Sequence, residues 1–128
     1  MQNMESSVLP LQESFARQFA QAWIDGWNSH DLERILDHYD DEVVLVSPVA
    51  MKLLGNSVVQ GRAALREYFR RGIDAFPSLR FELFDVLWGI ETVVIVYENN
   101  VRNSKAAEVM QLSASGKVRH VWANYDRQ

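Results

Sequence analysis

The chain has 128 residues, enough for one domain with a real core and too few for a second. Hydrophobic residues make up 48% and charged residues 23%, a globular composition that excludes a disordered chain. A formal net charge of -4 without a dense basic block argues against nucleic acid as a partner, and the absence of cysteine excludes disulfides, thiolate nucleophiles and thiolate metal sites.

Residues 1–12 are polar, contain Pro10 and read as a loose leader, with neither the basic start nor the apolar core of a signal peptide. The longest apolar run, Val93-Val94-Ile95-Val96, is strand length and too short for a membrane span. The expectation is a cytoplasmic, soluble protein with a single domain over residues 13–127 and no membrane partner.

From Glu13 the pattern is helical, with Phe15, Phe19, Ala22, Trp23 and Gly26 on one face and Trp27 continuing it. Asn28-Ser29-His30-Asp31 breaks this helix and caps a short second one, whose Leu32, Ile35, Leu36 and Tyr39 point inward. His30 reads as a cap residue and His38 as solvated. Asp40-Asp41-Glu42 reads as a solvated turn, lacking the alternating oxygen ligands and glycine of a calcium loop. Val43 to Ser47 is a β-branched strand, and Pro48, which has no N–H for a ladder, marks its edge or exit. Met51 to Val59 is an apolar, glycine-punctuated excursion, either a hairpin arm or a flap over a pocket.

Gly61 opens a third helix, whose buried stripe is Leu65, Tyr68, Phe69, Ile73 and Phe76. Arg62, Arg66, Arg70 and Arg71 form its solvated face, Gly72 either permits a close contact or weakens it, and Pro77 stops it. Four strands follow, approximately 79–88, 91–99, 105–113 and 118–125, with turn residues fitting antiparallel hairpins. Helices first and a meander last give an α+β fold with three N-terminal helices on one face of the sheet.

Period two sorts the strand faces. Glu108, Met110 and Leu112 share one side; so do Val93, Ile95 and Tyr97, and so do Val121, Ala123 and Tyr125. The opposite side, with Val94, Val96, Val109, His120 and Trp122, is also substantially apolar. Three helices cover one face only, so the other is expected to meet a second copy of the chain in a homodimer.

The ordered marks Trp27-Asn28-Ser29-His30-Asp31-Leu32, Tyr39-Asp40-Asp41-Glu42-Val43, Gly61-Arg62, Phe76-Pro77 and Gly116-Lys117-Val118 resemble the nuclear transport factor 2-like superfamily. The similarity is to its polyketide-cyclase-like (SnoaL-like) and ketosteroid-isomerase-like branch. It implies a cone-shaped fold with a curved, mixed or antiparallel sheet around an apolar cavity. No cofactor and no metal are expected. The family houses isomerases, cyclases, epoxide hydrolases, dehydratases and members without enzymatic activity.

Carried over residue by residue, the ketosteroid isomerases' general-base aspartate falls at Ser47 and their oxyanion-stabilising tyrosine is best matched by Trp23. Their protonated aspartate falls at Glu108. The His-Trp-Asp segment of cyclase-like members reads Val121-Trp122-Ala123 here. The resemblance thus implies a pocket that has lost its usual base, with Glu108 as the remaining acid/base candidate. Its expected lining is Trp23, Trp27, Ser47, Tyr68, Tyr97, Met110, Val121, Ala123 and Tyr125.

If Glu108 faces the cavity, desolvation raises its pKa and suits it to donate a proton; the alternative is a salt-bridged or wetted carboxylate. The preferred expectation is a dimeric binder of a small apolar ligand. The alternatives are a cofactor-independent isomerase, cyclase or lyase acting on a hydrophobic carbonyl compound through Glu108, and a structural or regulatory protein–protein module. The three dispersed histidines have no zinc-site spacing, and no phosphate loop is present.

Overall fold

The structure, a computed structural model, describes residues 9–127. Ten elements follow one another: α1 Glu13–Ser29, α2 Leu32–Leu36, β1 Tyr39–Val46, α3 Pro48–Leu54, β2 Val58–Gln60, α4 Arg62–Ala75, β3 Phe81–Trp88, β4 Thr92–Asn99, β5 Ser104–Leu112 and β6 Val118–Tyr125. The strands form one curved, open six-stranded sheet in the order β2-β1-β6-β5-β4-β3, parallel between β1 and β6 and antiparallel elsewhere. This α+β arrangement is the nuclear transport factor 2-like fold.

The strand faces are those that period two predicts. Along β5, Ser104, Ala106, Glu108, Met110 and Leu112 are buried, while the intervening residues are half-buried or exposed. The register lines them up into inward rows. Val121, Met110 and Val93 form one row, Ala123, Glu108, Ile95 and Val86 the next, and Tyr125, Ala106, Tyr97 and Leu83 a third.

The helix α1 buries Ala16, Phe19, Ala20, Trp23, Ile24 and Trp27 against β3 and β4. Its C-terminus is tied down specifically. The Asn28 side chain donates to Phe81 O at 2.9 Å and accepts from Phe81 N–H at 2.8 Å, mimicking a strand partner for the first residue of β3. His30 is the αL residue after α1, with its ring Nε2 2.6 Å from Leu79 O. Asp31 caps α2 by accepting from Glu33 and Arg34 N–H groups. On α4, Arg62 pairs with Asp41, Arg66 with Glu33, and Arg70 and Arg71 with Glu67; these exposed pairs add little stability but fit the expected solvated face.

Several expectations are corrected. Residues 1–8 lie outside the described residues. Pro10 bridges to Ile90, and Leu11 N–H donates to Gly89 O at 3.0 Å, giving that backbone partners on the β3–β4 turn. Asp40-Asp41-Glu42 belongs to β1, where the pairing with β6 shifts register between Tyr39 and Val44 and accommodates the three polar residues. Instead of three helices there are four, because Pro48 is the first residue of α3, where its missing N–H costs nothing. The excursion from Met51 is therefore the rest of this helix, its αL cap Gly55 and the short strand β2. Phe15 and Phe76, expected inside, are 40% and 41% exposed, one in the first turn of α1 and the other at the C-cap of α4, where it still lines the cavity. His38 is half-buried, its ring edge-on to Phe19 at 5.7 Å, and burial lowers its pKa.

Candidate active site: a buried carboxyl and its aromatic shell

A cavity of about 130 Å³ opens between the inner sheet face, α1, α3 and α4. Of the residues expected to line it, Trp23, Trp27, Ser47, Tyr68, Tyr97, Glu108, Ala123 and Tyr125 do so. Met110 and Val121 do not. They are fully buried in the row beyond Glu108, where they fill the closed end of the core instead of facing space.

Glu108 is the buried carboxylate, 7% exposed. Its cross-strand neighbours are Ala123 and Ile95, so no cation stands beside it on the sheet. The Tyr97 hydroxyl donates to Glu108 Oε2 at 2.7 Å. Desolvation raises the carboxyl pKa, and the Tyr97 bond opposes that rise, with the net result about 7. Burial, with the Glu108 charge next, raises the phenols of Tyr39, Tyr97 and Tyr125 well above their ordinary range. Tyr68, more open, is pushed up to about 12 by burial, with the neighbouring Ser47 hydroxyl pulling it back. The cavity therefore offers protonated phenols and a carboxyl poised between its two forms near neutral pH.

The aromatic wall is continuous. Trp23 meets Tyr97 at 5.3 Å and Phe81 at 5.7 Å, and Trp27 packs edge-on to Phe69 at 4.7 Å. The Trp23 indole, expected to be free to donate to a ligand, is spent: its Nε1–H donates to the Tyr39 hydroxyl at 2.9 Å. The Trp27 Nε1 and the Ser104 hydroxyl, both buried, have no hydrogen-bond partner among the described residues. Ser47 caps α3 by accepting from Val49 N–H at 3.1 Å, and the structure places no histidine on the cavity wall that could activate it. His120 stacks on Trp122 at 3.9 Å on the opposite side of the sheet. Among the described residues no His, Asp or Glu cluster could hold a metal ion, and no helix is long and apolar enough to cross a membrane.

The model of the SnoaL-like domain family matches residues 20–123. The chain belongs to the SnoaL-like family. A SnoaL-like protein of unknown function from Burkholderia thailandensis E264 is 33% identical, with a TM-score of 0.88 over 91% of this chain and 98% of that one. Bal32a, from a soil-derived mobile gene cassette, shares the fold at 15% identity and a TM-score of 0.75, covering 89% of this chain and 91% of that one. SalBIII, an epoxide hydrolase/cyclase-like enzyme in pyran ring formation of the polyether salinomycin, shares it at 19% identity and a TM-score of 0.71, over 91% of this chain and 94% of that one. No curated protein sequence matches the chain.

Sequence reasoning missed part of this SnoaL-like cavity. Tyr39, Leu45, Phe81, Asn99, Arg102 and Ser104 also line it. Parity could have found Ser104, two steps along β5 from Ala106 on the face of Glu108. The inward end of Arg102 had no signal, because it sits in the β4–β5 turn, where no period applies.

Proposed function

We propose that this SnoaL-like protein binds a small, largely apolar oxygenated molecule in its cavity, with the Glu108–Tyr97 pair meeting the ligand's oxygen. The carrying observation is a carboxyl buried at an aromatic-lined cavity, hydrogen-bonded to one phenol and with no counter-ion among the described residues. Burying such a group costs stability unless something it contacts repays the cost, so its place at the wall of a cavity is best explained by a ligand. About 130 Å³ suits one ring, given that a cavity of about 150 Å³ accepts benzene. With serine at position 47 and alanine at 123, the reading is of a pocket without the family's usual base. The test is a melting-temperature screen with cyclic ketones, phenols and monoterpenoids at millimolar concentration. Binding raises Tm with the logarithm of one plus the ratio of ligand concentration to Kd, and no rise with any compound would refute the proposal.

The pKa of about 7 favours a second reading, a cofactor-independent isomerase, cyclase or lyase in which Glu108 exchanges protons with a carbonyl substrate. Its carboxylate form takes a proton from carbon beside the carbonyl, and its acid form returns one. Deuterium exchange into cyclic ketones, catalysed by the protein and lost in Glu108→Gln, is the expected result; exchange at the buffer rate would exclude it.

We further propose a homodimer through the outer face of the sheet. There Leu87, Val94, Val109, Trp122 and Val46 form one uninterrupted cross-strand row over five strands, with Leu87 51% and Trp122 39% exposed. An apolar stripe of this length is costly in water and natural at an interface. The cytoplasm is the proposed compartment, testable by cell fractionation.

A further inference from the structure

The Trp27 indole is the least explained polar group in the molecule. Its residue is 8% exposed, it lines the cavity, and its N–H makes no hydrogen bond among the described residues. An indole N–H is a donor only, and a rotation that would aim it elsewhere is blocked on several sides. Phe69 stands 4.7 Å, Phe81 5.3 Å and Trp23 6.2 Å from the ring. The nearby acceptor, the Tyr39 hydroxyl, receives the Trp23 N–H at 2.9 Å; the Trp27 N–H is also near enough to lower the Tyr39 pKa but falls short of hydrogen-bond geometry. The other orphan, the Ser104 hydroxyl, is less telling because it can turn freely about its own bond.

We propose that Trp27 is the specificity-determining donor of the cavity: its indole N–H holds an acceptor oxygen of the ligand, a carbonyl or ether oxygen on a one-ring apolar skeleton. This rests on the reading of the cavity as a ligand site and adds the polarity of recognition. A rigid donor with no protein acceptor rewards an oxygen lone pair and gives nothing to a hydrocarbon of equal shape. It discriminates equally against a ligand that presents only a donor at that point. Recognition is thereby divided, with Trp27 reading the acceptor while the Glu108 carboxyl, near its midpoint of protonation, can serve either as donor or as acceptor.

The test compares cyclohexanone with methylenecyclohexane, which replaces C=O by C=CH₂ in the same shape. In the ¹H–¹⁵N spectrum of the native protein, the Trp27 indole resonance is identified by its loss in Trp27→Phe. Cyclohexanone is expected to shift it downfield as the hydrogen bond forms, and methylenecyclohexane is not. The ketone-to-hydrocarbon affinity ratio is expected to fall roughly two- to ten-fold in Trp27→Phe, the worth of one neutral hydrogen bond. Both compounds perturbing the Ala123 methyl while the Trp27 N–H stays put, or an unchanged ratio in the variant, would overturn this inference and leave the ligand-binding reading standing. No response to either compound would remove both. If Trp27→Phe does not fold, the resonance is assigned instead by nuclear Overhauser contacts of the indole proton to the Phe69 and Phe81 rings, and its shift in the native protein decides alone.

Discussion

Glu108→Gln removes the ionisation of the buried carboxyl and keeps its shape and its acceptor for Tyr97. In the native fold the group titrates at about 7, whereas in the unfolded chain it returns to about 4.5. Between those values the native state holds a proton that the unfolded state has released, so stability falls as pH rises, by about 1.4 kcal/mol per pH unit. The loss is absent below the lower value, complete above the upper one, and amounts to roughly 3 kcal/mol in all. Urea denaturation of both proteins at matched concentration, from about pH 4 to about pH 8, measures it. Native stability minus variant stability is expected to drop by that amount over the range. The subtraction cancels His38, whose lowered pKa works in the opposite sense, since its unfolded form takes up a proton first as pH falls. A difference flat across the range would mean that the carboxyl is solvated in the folded protein and that the desolvation argument is wrong.

Other outcomes follow from the packing. Gly72 lines the cavity with nothing within 4 Å of where a Cβ would stand, so Gly72→Ala should stabilise α4 by about 1 kcal/mol in denaturant melts. The same methyl should weaken cyclohexanone binding by narrowing the space. Asn28→Ala removes both side-chain bonds to Phe81 and leaves a half-buried strand start unpaired, which should cost about 1–3 kcal/mol with an unchanged m-value. The double change Leu87→Glu and Trp122→Glu should shift gel filtration from a dimer to the 14.8 kDa monomer while leaving the circular dichroism intact. A native protein eluting as a monomer would refute the interface.

The sheet was legible because its signal is local and binary. Alternation put Glu108, Tyr97, Ala123 and Tyr125 on one face and Val94, Val109 and Trp122 on the other, and the register agrees. The helix α3 was not legible, because Met51, Leu53 and Leu54 are apolar yet exposed and so carry no amphipathic period. Phe15 and Phe76 fit the helical stripe but sit at helix ends, where fewer neighbours cover them, a fact of length that periodicity does not contain. The two indoles of α1 look equivalent in sequence, four residues apart on one face. What separates them is the Tyr39 hydroxyl, brought up from β1 to engage one and leave the other.

The irregular β3 has a consequence for how molecules can stick together. It is an outermost strand, and its pairing slips at Phe84, between Leu83 and Asp85, while Glu82 and Asp85 put charge along it. At the opposite margin β2 is three residues long. A kinked, acidic margin and a stunted one are poor templates for an incoming strand, so runaway strand-by-strand growth into fibrils is obstructed at both sides. On the proposed homodimer, the broad greasy surface would meet its copy flat against flat, a contact that closes after a pair and so does not propagate.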